Sequence, residues 1–406
     1  MKHLRILGLI AVVAAVMSCA KENGEKSGVK HITLTAESGT PVNQPAEYII
    51  NPDMLAAVKT LRHISGGSLF SMKYEADYML DASLVAGAKN AEEMNAFQDQ
   101  NYKEGIPIPL ADGVGMCSAF IAHTPDGDML LARNYDYGTD HPCIVMTLPA
   151  RSNRYANVSM IDTRFVSAWY GDGKMNDATT DVSRLAAAPW SVMDGINEYG
   201  VAFGVLQLSA VQFDNGKMSL DPRRQLDESL NPEKKDMTPV CQPHFVRTVL
   251  DKCKNVDEAE QWLRTHQMHN LTPFQILHLV VADPNGYKLF EWVDNKLSVL
   301  DDPIIENFYL TPGGPGVQNG DGTPYRHVRY NAEKAAWDAC NGIMTEERAM
   351  EILREARYST EHITDGEHTD VTNWSIVYNL TKKTAKFCRL EDYDTVYEYK
   401  FSDMLK

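Results

Sequence analysis

The pattern of apolar and polar positions divides the chain into a short leader, a helical part and a part built of hairpins. Residues 6–17 form an almost unbroken apolar run behind a short basic start. Residues 51–103 carry apolar side chains at helical spacing, and Asn51 precedes Pro52 as an N-cap precedes a first helical turn. The methionine and aromatic side chains of residues 72–80 continue this helical prediction, either as helix core or as the wall of a lipid channel.

After residue 117 the pattern changes to short apolar strands joined by turn sequences. The predicted hairpins pair residues 117–123 with 129–137, 190–196 with 201–208, 275–282 with 287–292, and 375–380 with 385–390. Helical patterns lie between them at residues 243–266, 326–340 and 345–358. Hairpins that alternate with long helices predict antiparallel sheets with helices packed outside, which is an α+β layered fold.

The first residues predict export and a lipid anchor. The apolar run is too short to cross a membrane and is typical of a secretory signal core. Val16-Met17-Ser18-Cys19 resembles a bacterial lipobox, in which the cysteine is acylated, and the polar residues 21–28 suit a solvated tether. We therefore predict a lipid-anchored protein of the bacterial cell envelope, on the periplasmic or the cell-surface face. A plain signal peptide that ends in cysteine is the alternative.

Charge and composition limit the kinds of molecule that the protein is expected to bind. The formal net charge is -16, with 55 acidic against 39 basic residues, which argues against nucleic acid and against electrostatic docking on anionic lipid. The seven cysteines include no CxxC pair, and the histidines are scattered, so neither a metal nor a cofactor is expected. The remaining partners are a small substrate and a membrane reached through the lipid anchor, and an oligomer stays possible.

Cys117 opens a predicted strand whose hairpin partner ends in Arg-Asn-Tyr-Asp. Because two strands and a tight turn occupy about twenty residues, Arg133 and Asp136 return to the level of Cys117. A guanidinium beside a thiol favours the thiolate, and a carboxylate can hold an amine in place. Such charges at the end of an apolar strand are costly unless they are paired. We therefore predict a reactive site here, with a buried cysteine beside a structural ion pair as the alternative.

This segment resembles the start of the mature chain in the choloylglycine hydrolase-like, linear-amide N-terminal nucleophile hydrolases. They include bile salt hydrolase, penicillin V acylase, acid ceramidase and N-acylethanolamine acid amidase. Their nucleophile precedes an arginine by 16 residues and an aspartate by 19, the spacing that separates Cys117 from Arg133 and Asp136. The resemblance extends, more weakly, over most of residues 117–406. It implies a four-layer αββα sandwich of antiparallel sheets.

Two more segments resemble this family and imply an oxyanion hole. Residues 194–202 are similar to its D/G-x-N-E-x-G-L hairpin, and that match gives Gln207 the position whose backbone N–H helps to form the hole. Glu306-Asn307-Phe308 resembles a segment whose asparagine side chain donates to the same oxyanion. An ordinary strand residue is the alternative for Gln207, and a turn or cap residue is the alternative for Asn307.

A third segment implies a second active-site arginine. Tyr325-Arg326-His327-Val328-Arg329 resembles the Ser-x-Arg-Phe segment and favours Arg326, with Arg329 as the alternative. Two features depart from the family. Glu306 replaces its usual threonine, and the gap from Asn307 to Arg326 is 19 residues, shorter than in bile salt hydrolases. The shorter gap puts the tetramer of those enzymes in doubt for this chain.

The long segment before Cys117 resembles the prosegment of acid ceramidase and N-acylethanolamine acid amidase. Bile salt hydrolases lose only methionine, whereas here 98 residues, 19–116, precede the nucleophile. In the two resembling enzymes a helical segment stays associated after cleavage and shapes an apolar substrate entrance. The predicted organisation is a signal peptide at 1–18, lipidated Cys19 and tether at 19–45, a helical prosegment at 46–116 and a catalytic domain at 117–406.

The resemblance also implies a mechanism. Cys117 attacks the Met116 carbonyl and frees its own α-amine, which serves as base while Asp136 orients it and Arg133 supports the thiolate. A hydrophobic N-acyl amide then forms an acyl-cysteine that water hydrolyses. The implied substrates are conjugated bile acids, fatty N-acyl amides, ceramide-like lipids or phenoxyacyl penicillins. An acyltransferase that passes the acyl group to an amine, and a non-catalytic lipoprotein that binds lipid, are the alternatives.

Self-cleavage can be tested by intact mass spectrometry. The wild-type chain should separate into two fragments at the Met116–Cys117 bond, because the attacking thiol lies next to the bond that it breaks. Cys117→Ala should remain one uncut chain. Cleavage of that variant at the same bond would assign the cut to another protease.

Overall fold

The structure is a computed structural model. It describes residues 28–65, 68–104, 116–138, 141–166, 175–208, 211–214, 217–273, 276–315, 324–357 and 371–406; the side chains described exclude those of residues 116, 211–214, 217–220 and 324–327. The predicted signal peptide and Cys19 lie outside the described residues. Within them, no helix is long and apolar enough to span a membrane.

Strands dominate the described part of the chain. In chain order they are β1 Lys30–Thr33, β2 Thr40–Pro41, β3 Arg62–Ser65, β4 Leu69–Lys73, β5 Met116–His123, β6 Met129–Asp136, β7 Cys143–Leu148, β8 Asn157–Asp162, β9 Val192–Asn197, β10 Ala202–Leu208, β11 Val211–Asp214, β12 Lys217–Leu220, β13 Pro239–Cys241, β14 Gln267–His269, β15 Ile276–Asp283, β16 Gly286–Val293, β17 Lys296–Leu300, β18 Ile304–Glu306, β19 Thr372–Asn379, β20 Thr384–Arg389 and β21 Asp392–Lys400.

The α-helices are fewer and mostly follow a polar cap. They are α1 Pro52–Val58, α2 Leu80–Ala86, α3 Ala91–Asn101, α4 Gln242–Lys252, α5 Val256–Arg264, α6 Pro324–Ala339, α7 Glu346–Glu355 and α8 Phe401–Met404. The Asn51 side chain accepts hydrogen bonds from the first backbone N–H groups of α1, which satisfies donors that the helix leaves unpaired. Asn255 caps α5 in the same way and separates it from α4.

Two large sheets carry the fold. The first runs in the order β1-β21-β20-β19-β6-β5-β18, and the second in the order β17-β16-β15-β10-β9-β8-β7-β4-β3-β2. Most neighbours are antiparallel; β1 lies parallel to β21 and β4 lies parallel to β7. The hairpin of β5 and β6 pairs Cys117 with Tyr135, which confirms the predicted return of the chain to the nucleophile.

The sheets stack face to face between outer helices. Ile121 and Leu131 of the first sheet share a core with Val158 and Leu206 of the second. Helices α6 and α7 cover the outer face of the first sheet, and α4 and α5 cover that of the second. Strand β6 is buried along its whole length, as expected for a strand between two layers. The predicted α+β class and its αββα order of layers are confirmed.

The helical prediction for residues 51–103 is wrong in part. Helices α1, α2 and α3 occupy this stretch, but β3 and β4 lie between them and join the second sheet. Strand β4 pairs with β7, so its fully buried Phe70 and Met72 pack as strand residues and not on a helix. Tertiary pairing here overrides a helical pattern. The single helix predicted at 243–266 is likewise two helices.

A buried polar cluster joins this N-terminal part to the rest of the molecule. The Tyr78 hydroxyl donates to Asp251 and accepts from Arg247 Nε at 3.0 Å. Asp251 also accepts from Arg247, and from Asn157 Nδ2 at 2.9 Å. The four side chains are shielded from solvent. Each hydrogen bond is therefore made where water cannot replace it.

Removing one member of this cluster should lower stability. We expect Tyr78→Phe to reduce the free energy of unfolding by about 1–3 kcal/mol, because buried Asp251 and Arg247 each lose a partner. The matched control is Tyr48→Phe, at a residue 49% exposed, which should change it by less than about 0.5 kcal/mol. Urea unfolding followed by circular dichroism measures both. Equal changes in the two variants would contradict a structural role for the cluster.

Candidate active site

Cys117 lies at the start of β5, where it is buried between the two sheets. Its Sγ accepts a hydrogen bond from an Arg133 guanidinium nitrogen at 3.4 Å. Its backbone N–H donates to Asn307 Oδ1 at 2.6 Å. The hairpin thus brings the arginine to the thiol, and strand β18 brings the asparagine to the backbone nitrogen of the same residue.

Arg133 connects the thiol to the second sheet. From β6 its guanidinium reaches the Met193 carbonyl at 2.6 Å, Asp194 Oδ2 at 2.5 Å and the Val205 carbonyl. Gly204 on β10 leaves room for this side chain, since a Cβ there would lie 3.2 Å from Arg133 Cδ. The guanidinium is fully buried and is held on three sides. Its position relative to the thiol is therefore set by both sheets.

Asp194 is the ionic partner of Arg133, and the sequence analysis gave it no role. Its carboxylate also accepts from Trp374 Nε1 at 3.0 Å and from the Tyr378 hydroxyl at 2.7 Å. Burial raises the pKa of Asp194 above its usual value, and the charge of Arg133 and these three buried donors offset only part of that effect. In the sequence, the one indication that Asp194 matters is its position as the first residue of segment 194–202, which resembles the family hairpin.

Burial decides the ionisation of the nucleophile. It raises the pKa of the Cys117 thiol above the usual value, and the Arg133 guanidinium offsets only part of that effect. The sequence predicted that Arg133 would make the thiol ionise more easily. Arg133 does act to lower the thiol pKa, but burial has the larger effect and the net shift is upward. Arg133 itself stays charged: burial alone would lower its pKa, but the Cys117 and Asp194 charges raise it. The thiol needs a proton acceptor to become a nucleophile.

Asp136 lies at the end of β6, opposite residue 116 in the hairpin register. Its carboxylate accepts from Arg329 at 2.7 Å and from Thr372 Oγ1 at 2.6 Å. Arg329, the alternative to Arg326, is therefore an arginine that contacts this carboxylate. The side chain of Arg326, the preferred residue, lies outside the described part of the structure.

Two buried glutamates accompany Arg329. Its Nε lies 3.2 Å from Glu306 Oε1, and Glu333 follows it by one turn of α6. Burial raises the pKa of Glu306 well above its usual range and that of Glu333 to about 8, although Arg329 opposes both shifts. Burial therefore opposes a charge on either glutamate, while the Asp136 carboxylate accepts a hydrogen bond from Arg329. No group of histidine, cysteine and acidic side chains in the described ranges could hold a metal ion.

Asn307 links the nucleophile to the predicted oxyanion residue. Its Oδ1 accepts from the Cys117 N–H, while its Nδ2 donates to the Gln207 carbonyl at 2.7 Å. The loop that follows is fixed by buried Glu291, which accepts from the Leu310 and Thr311 backbones. The structure thus brings Asn307 and Gln207 to Cys117, and it adds Glu291 as a support that the sequence did not reveal.

A cavity of about 1040 Å³, counting its open mouth, lies beside Cys117. Tyr135, Tyr137, Phe165 and Trp190 supply much of its wall, and one face of α3 closes another side. None of the described side chains that line it is charged. Cys117 therefore lines a largely apolar cavity that an uncharged, hydrophobic group would fit.

A family model described as acyl-coenzyme A:6-aminopenicillanic acid acyl-transferase matches residues 122–389. The match covers more than half of the chain and includes Arg133, Asp136, Gln207 and Asn307, while Cys117 lies five residues before it. The chain belongs to this acyl-transferase family. The recognised likeness to choloylglycine hydrolase-like, linear-amide hydrolases is confirmed with it.

Solved structures similar to this acyl-transferase family member include two hydrolases. Penicillin V acylase from Agrobacterium tumefaciens is 18% identical, with a TM-score of 0.45 over 67% of this chain and 83% of that one. A variant of conjugated bile acid hydrolase from Clostridium perfringens is 16% identical, with a TM-score of 0.46 over 72% of this chain and 98% of that one. No curated protein sequence matches this chain.

Glu333 gives this acyl-transferase family member a stability that depends on pH. Because burial raises its folded-state pKa to about 8, the folded chain keeps a proton that the unfolded chain loses near pH 4.5. The Glu333 contribution should be present in full at acidic pH and fall by at most about 1.4 kcal/mol per pH unit up to pH 8.

The measurement is the free energy of unfolding of wild type and Glu333→Gln across this pH range. The neutral variant should lie closest to wild type below pH 4.5 and become the more stable protein toward pH 8, because an amide cannot lose the proton. Glu92→Gln, at an exposed position of α3, should leave the pH dependence of wild type unchanged. A variant whose stability falls with pH as steeply as that of wild type would remove Glu333 as the cause.

Proposed function

We propose that this chain is a self-activated cysteine amidohydrolase that cleaves linear amide C–N bonds of N-acyl amides. The observation that carries the proposal is the convergence of Cys117, Arg133 and Asn307 beside an apolar cavity. Membership in a family named for acyl transfer supports the same chemistry. We further propose that the protein is exported and anchored in the bacterial cell envelope through acylated Cys19.

Activation begins in the continuous chain. Cys117 Sγ attacks the Met116 carbonyl carbon, so that an S–C bond forms, the C–N bond between the two residues breaks and the nitrogen takes up the thiol proton. Water then hydrolyses the thioester and frees both the thiol and the α-amine. Asn307 Oδ1 already accepts from the nitrogen that becomes this amine. It thereby holds the nitrogen beside the sulfur before and after cleavage.

In the mature enzyme the liberated amine takes the thiol proton. A proton acceptor is needed because burial raises the thiol pKa, and a free α-amine titrates at about pH 8. The thiolate attacks the substrate carbonyl, the amine product leaves with the proton, and water releases the acyl group from sulfur. Arg133 balances the thiolate charge. Asn307 Nδ2 and the Gln207 backbone N–H stabilise the oxyanion, and each is worth about 3 kcal/mol.

Asp136 has an indirect role in this scheme. In the continuous chain its carboxylate accepts hydrogen bonds from Arg329 and Thr372. The hairpin register places Asp136 opposite residue 116, next to the nitrogen that would become the Cys117 amine. Cleavage ends the constraint that the preceding peptide places on the Cys117 nitrogen. We propose that the freed amine then turns toward this carboxylate, which supplies the charge that orients it.

The cavity favours a substrate with an uncharged, hydrophobic acyl part. Conjugated bile acids, fatty N-acyl amides and phenoxyacyl penicillins share this property. Helix α3, within the proposed prosegment 46–116, supplies one wall of the cavity. Parallel pairing of β4 with β7 attaches the same segment to the catalytic part. We therefore propose that both fragments remain together in the active enzyme.

Acyl transfer to an amine is the second candidate. The family name describes an acyl-transferase, and the same acyl-cysteine can react with an amine in place of water. A free amine in excess would divert part of the acyl group to an exchanged amide if this candidate holds. A lipoprotein that binds lipid without catalysis would form neither product.

The decisive assay offers purified protein bile acid, fatty acyl and penicillin amides, with and without excess free amine. Wild type should release the amine and lose activity with iodoacetamide, and Asn307→Ala should lower kcat by about 100-fold. Cys388→Ala is the matched control, since it removes another buried thiol and should cleave itself and turn over substrate normally. Full turnover by uncut Cys117→Ala would refute the proposal.

A further inference from the structure

The loop that carries Asn307 begins on one sheet and is held at its other end by the opposite sheet. Residues 307–311, here called the Asn307 loop, follow β18 of the first sheet, whereas Glu291 belongs to β16 of the second. The Leu310 N–H donates to Glu291 Oε1 at 2.9 Å. The Thr311 N–H and hydroxyl donate to Oε2 at 2.9 and 2.6 Å. One carboxylate therefore receives three donors from the end of this loop.

His278 on β15 is a further partner of Glu291. Its Nδ1 lies 3.0 Å from Glu291 Oε1, and since a carboxylate only accepts hydrogen bonds, the imidazole donates. Both side chains are fully buried. Burial would raise the pKa of Glu291, but the effects of His278 and of the loop donors outweigh it, and the net shift is downward. Glu291 is therefore an anion whose charge depends on the donors around it.

This buried pair lies next to Gln207 in the second sheet. Across from β15, Leu206 of β10 pairs with His278, and Gln207 pairs with Leu277. Paired residues on neighbouring strands share a face, and Leu206 packs in the core between the sheets, so His278 lies on that inner face as well. Asn307 Nδ2 donates to the Gln207 carbonyl at 2.7 Å. The pair thus attaches the Asn307 loop to the strands that supply Gln207.

The position of the Asn307 amide is sensitive to this attachment, because Leu310 follows it by three residues. Its Oδ1 accepts from the Cys117 N–H at 2.6 Å, while its Nδ2 is bonded to Gln207. A shift of the loop by about 1 Å would stretch either contact beyond hydrogen-bond distance. A misplacement of that size can reduce the rate of an enzyme by about 100-fold, even when its cause lies away from the reacting atoms.

We propose that His278 and Glu291 form a positioning pair that holds Asn307 against the Cys117 nitrogen. Its kinetic consequence rests on the amidohydrolase function proposed above. Neither side chain is among the described residues that line the cavity, so both act through Asn307 and not on the substrate. A pair that merely stabilised the fold would have no such link to one residue of the site.

A double-mutant cycle on kcat separates the two roles. His278→Leu should lower the kcat of the cleaved enzyme by about tenfold, with KM changed by less than about twofold, because the pair does not touch the substrate. In the Asn307→Ala background the same substitution should change kcat by less than about twofold, since the residue it positions is gone. Tenfold losses in both backgrounds would overturn the positioning role.

Milder variants keep the test open if His278→Leu does not fold. Thr311→Val removes one donor to Glu291 and should reduce kcat by about threefold, again only while Asn307 is present. His278→Asn retains an N–H near the place of Nδ1 and should recover most of the wild-type kcat. The matched control is His266→Leu, at a half-buried histidine beyond α5, which should leave kcat unchanged in both backgrounds. Equal losses from Thr311→Val with and without Asn307 would contradict the proposal.

Amide hydrogen exchange at residue 117, followed by nuclear magnetic resonance, tests the link without turnover. In uncut Cys117→Ala, adding His278→Leu or Asn307→Ala should speed exchange of this N–H by about fivefold or more, because each loosens its acceptor. Both substitutions together should act no faster than Asn307→Ala alone. This result in a protein that turns over no amide would retain the positioning pair and refute the amidohydrolase. Turnover by wild type, with exchange that His278→Leu leaves unchanged, would do the reverse.

Discussion

The contact between Arg133 and Cys117 is the interaction on which the candidate site depends. Arg133 belongs to the first sheet, yet its guanidinium is held by Asp194 and by two backbone carbonyls of the second sheet. A buried guanidinium is costly unless its charge is paired, and the Asp194 carboxylate supplies that partner here. The stacking of the two sheets therefore determines where Arg133 lies relative to the thiol, and a shift of one sheet against the other would change that contact.

Burial gives the site its chemical character. The thiol, the guanidinium and the acidic residues around Arg329 all lie away from water, so each charge interacts more strongly and with less screening than it would at the surface. The same burial opposes ionisation of Cys117 and of Glu333. The proposed base, which would appear only after chain cleavage, suits such a thiol, because the precursor would then stay unreactive toward external amides.

The sequence predicted most where local pattern and function coincide. Turn residues between short apolar runs identified the hairpins. The spacing of Cys117, Arg133 and Asp136 indicated that these three residues lie at the same end of the first hairpin. It failed for β3 and β4, because β4 pairs with β7, more than sixty residues away, and β3 pairs in turn with β4. Asp194 and Glu291 escaped notice because a single carboxylate gives no pattern. The contact of Arg329 with Asp136 depends on the direction of a helix relative to a strand, which the local pattern does not show.

The strands that precede Cys117 occupy one border of each large sheet. Strand β1 lies outside β21, and β2, β3 and β4 extend the other sheet beyond β7. Without them, β21 and β7 would present open rows of backbone donors and acceptors, which invite pairing with other chains. The leading segment therefore replaces the edges that β21 and β7 would form with the much shorter edge strands β1 and β2, and a chain beginning at residue 117 would expose the longer edges.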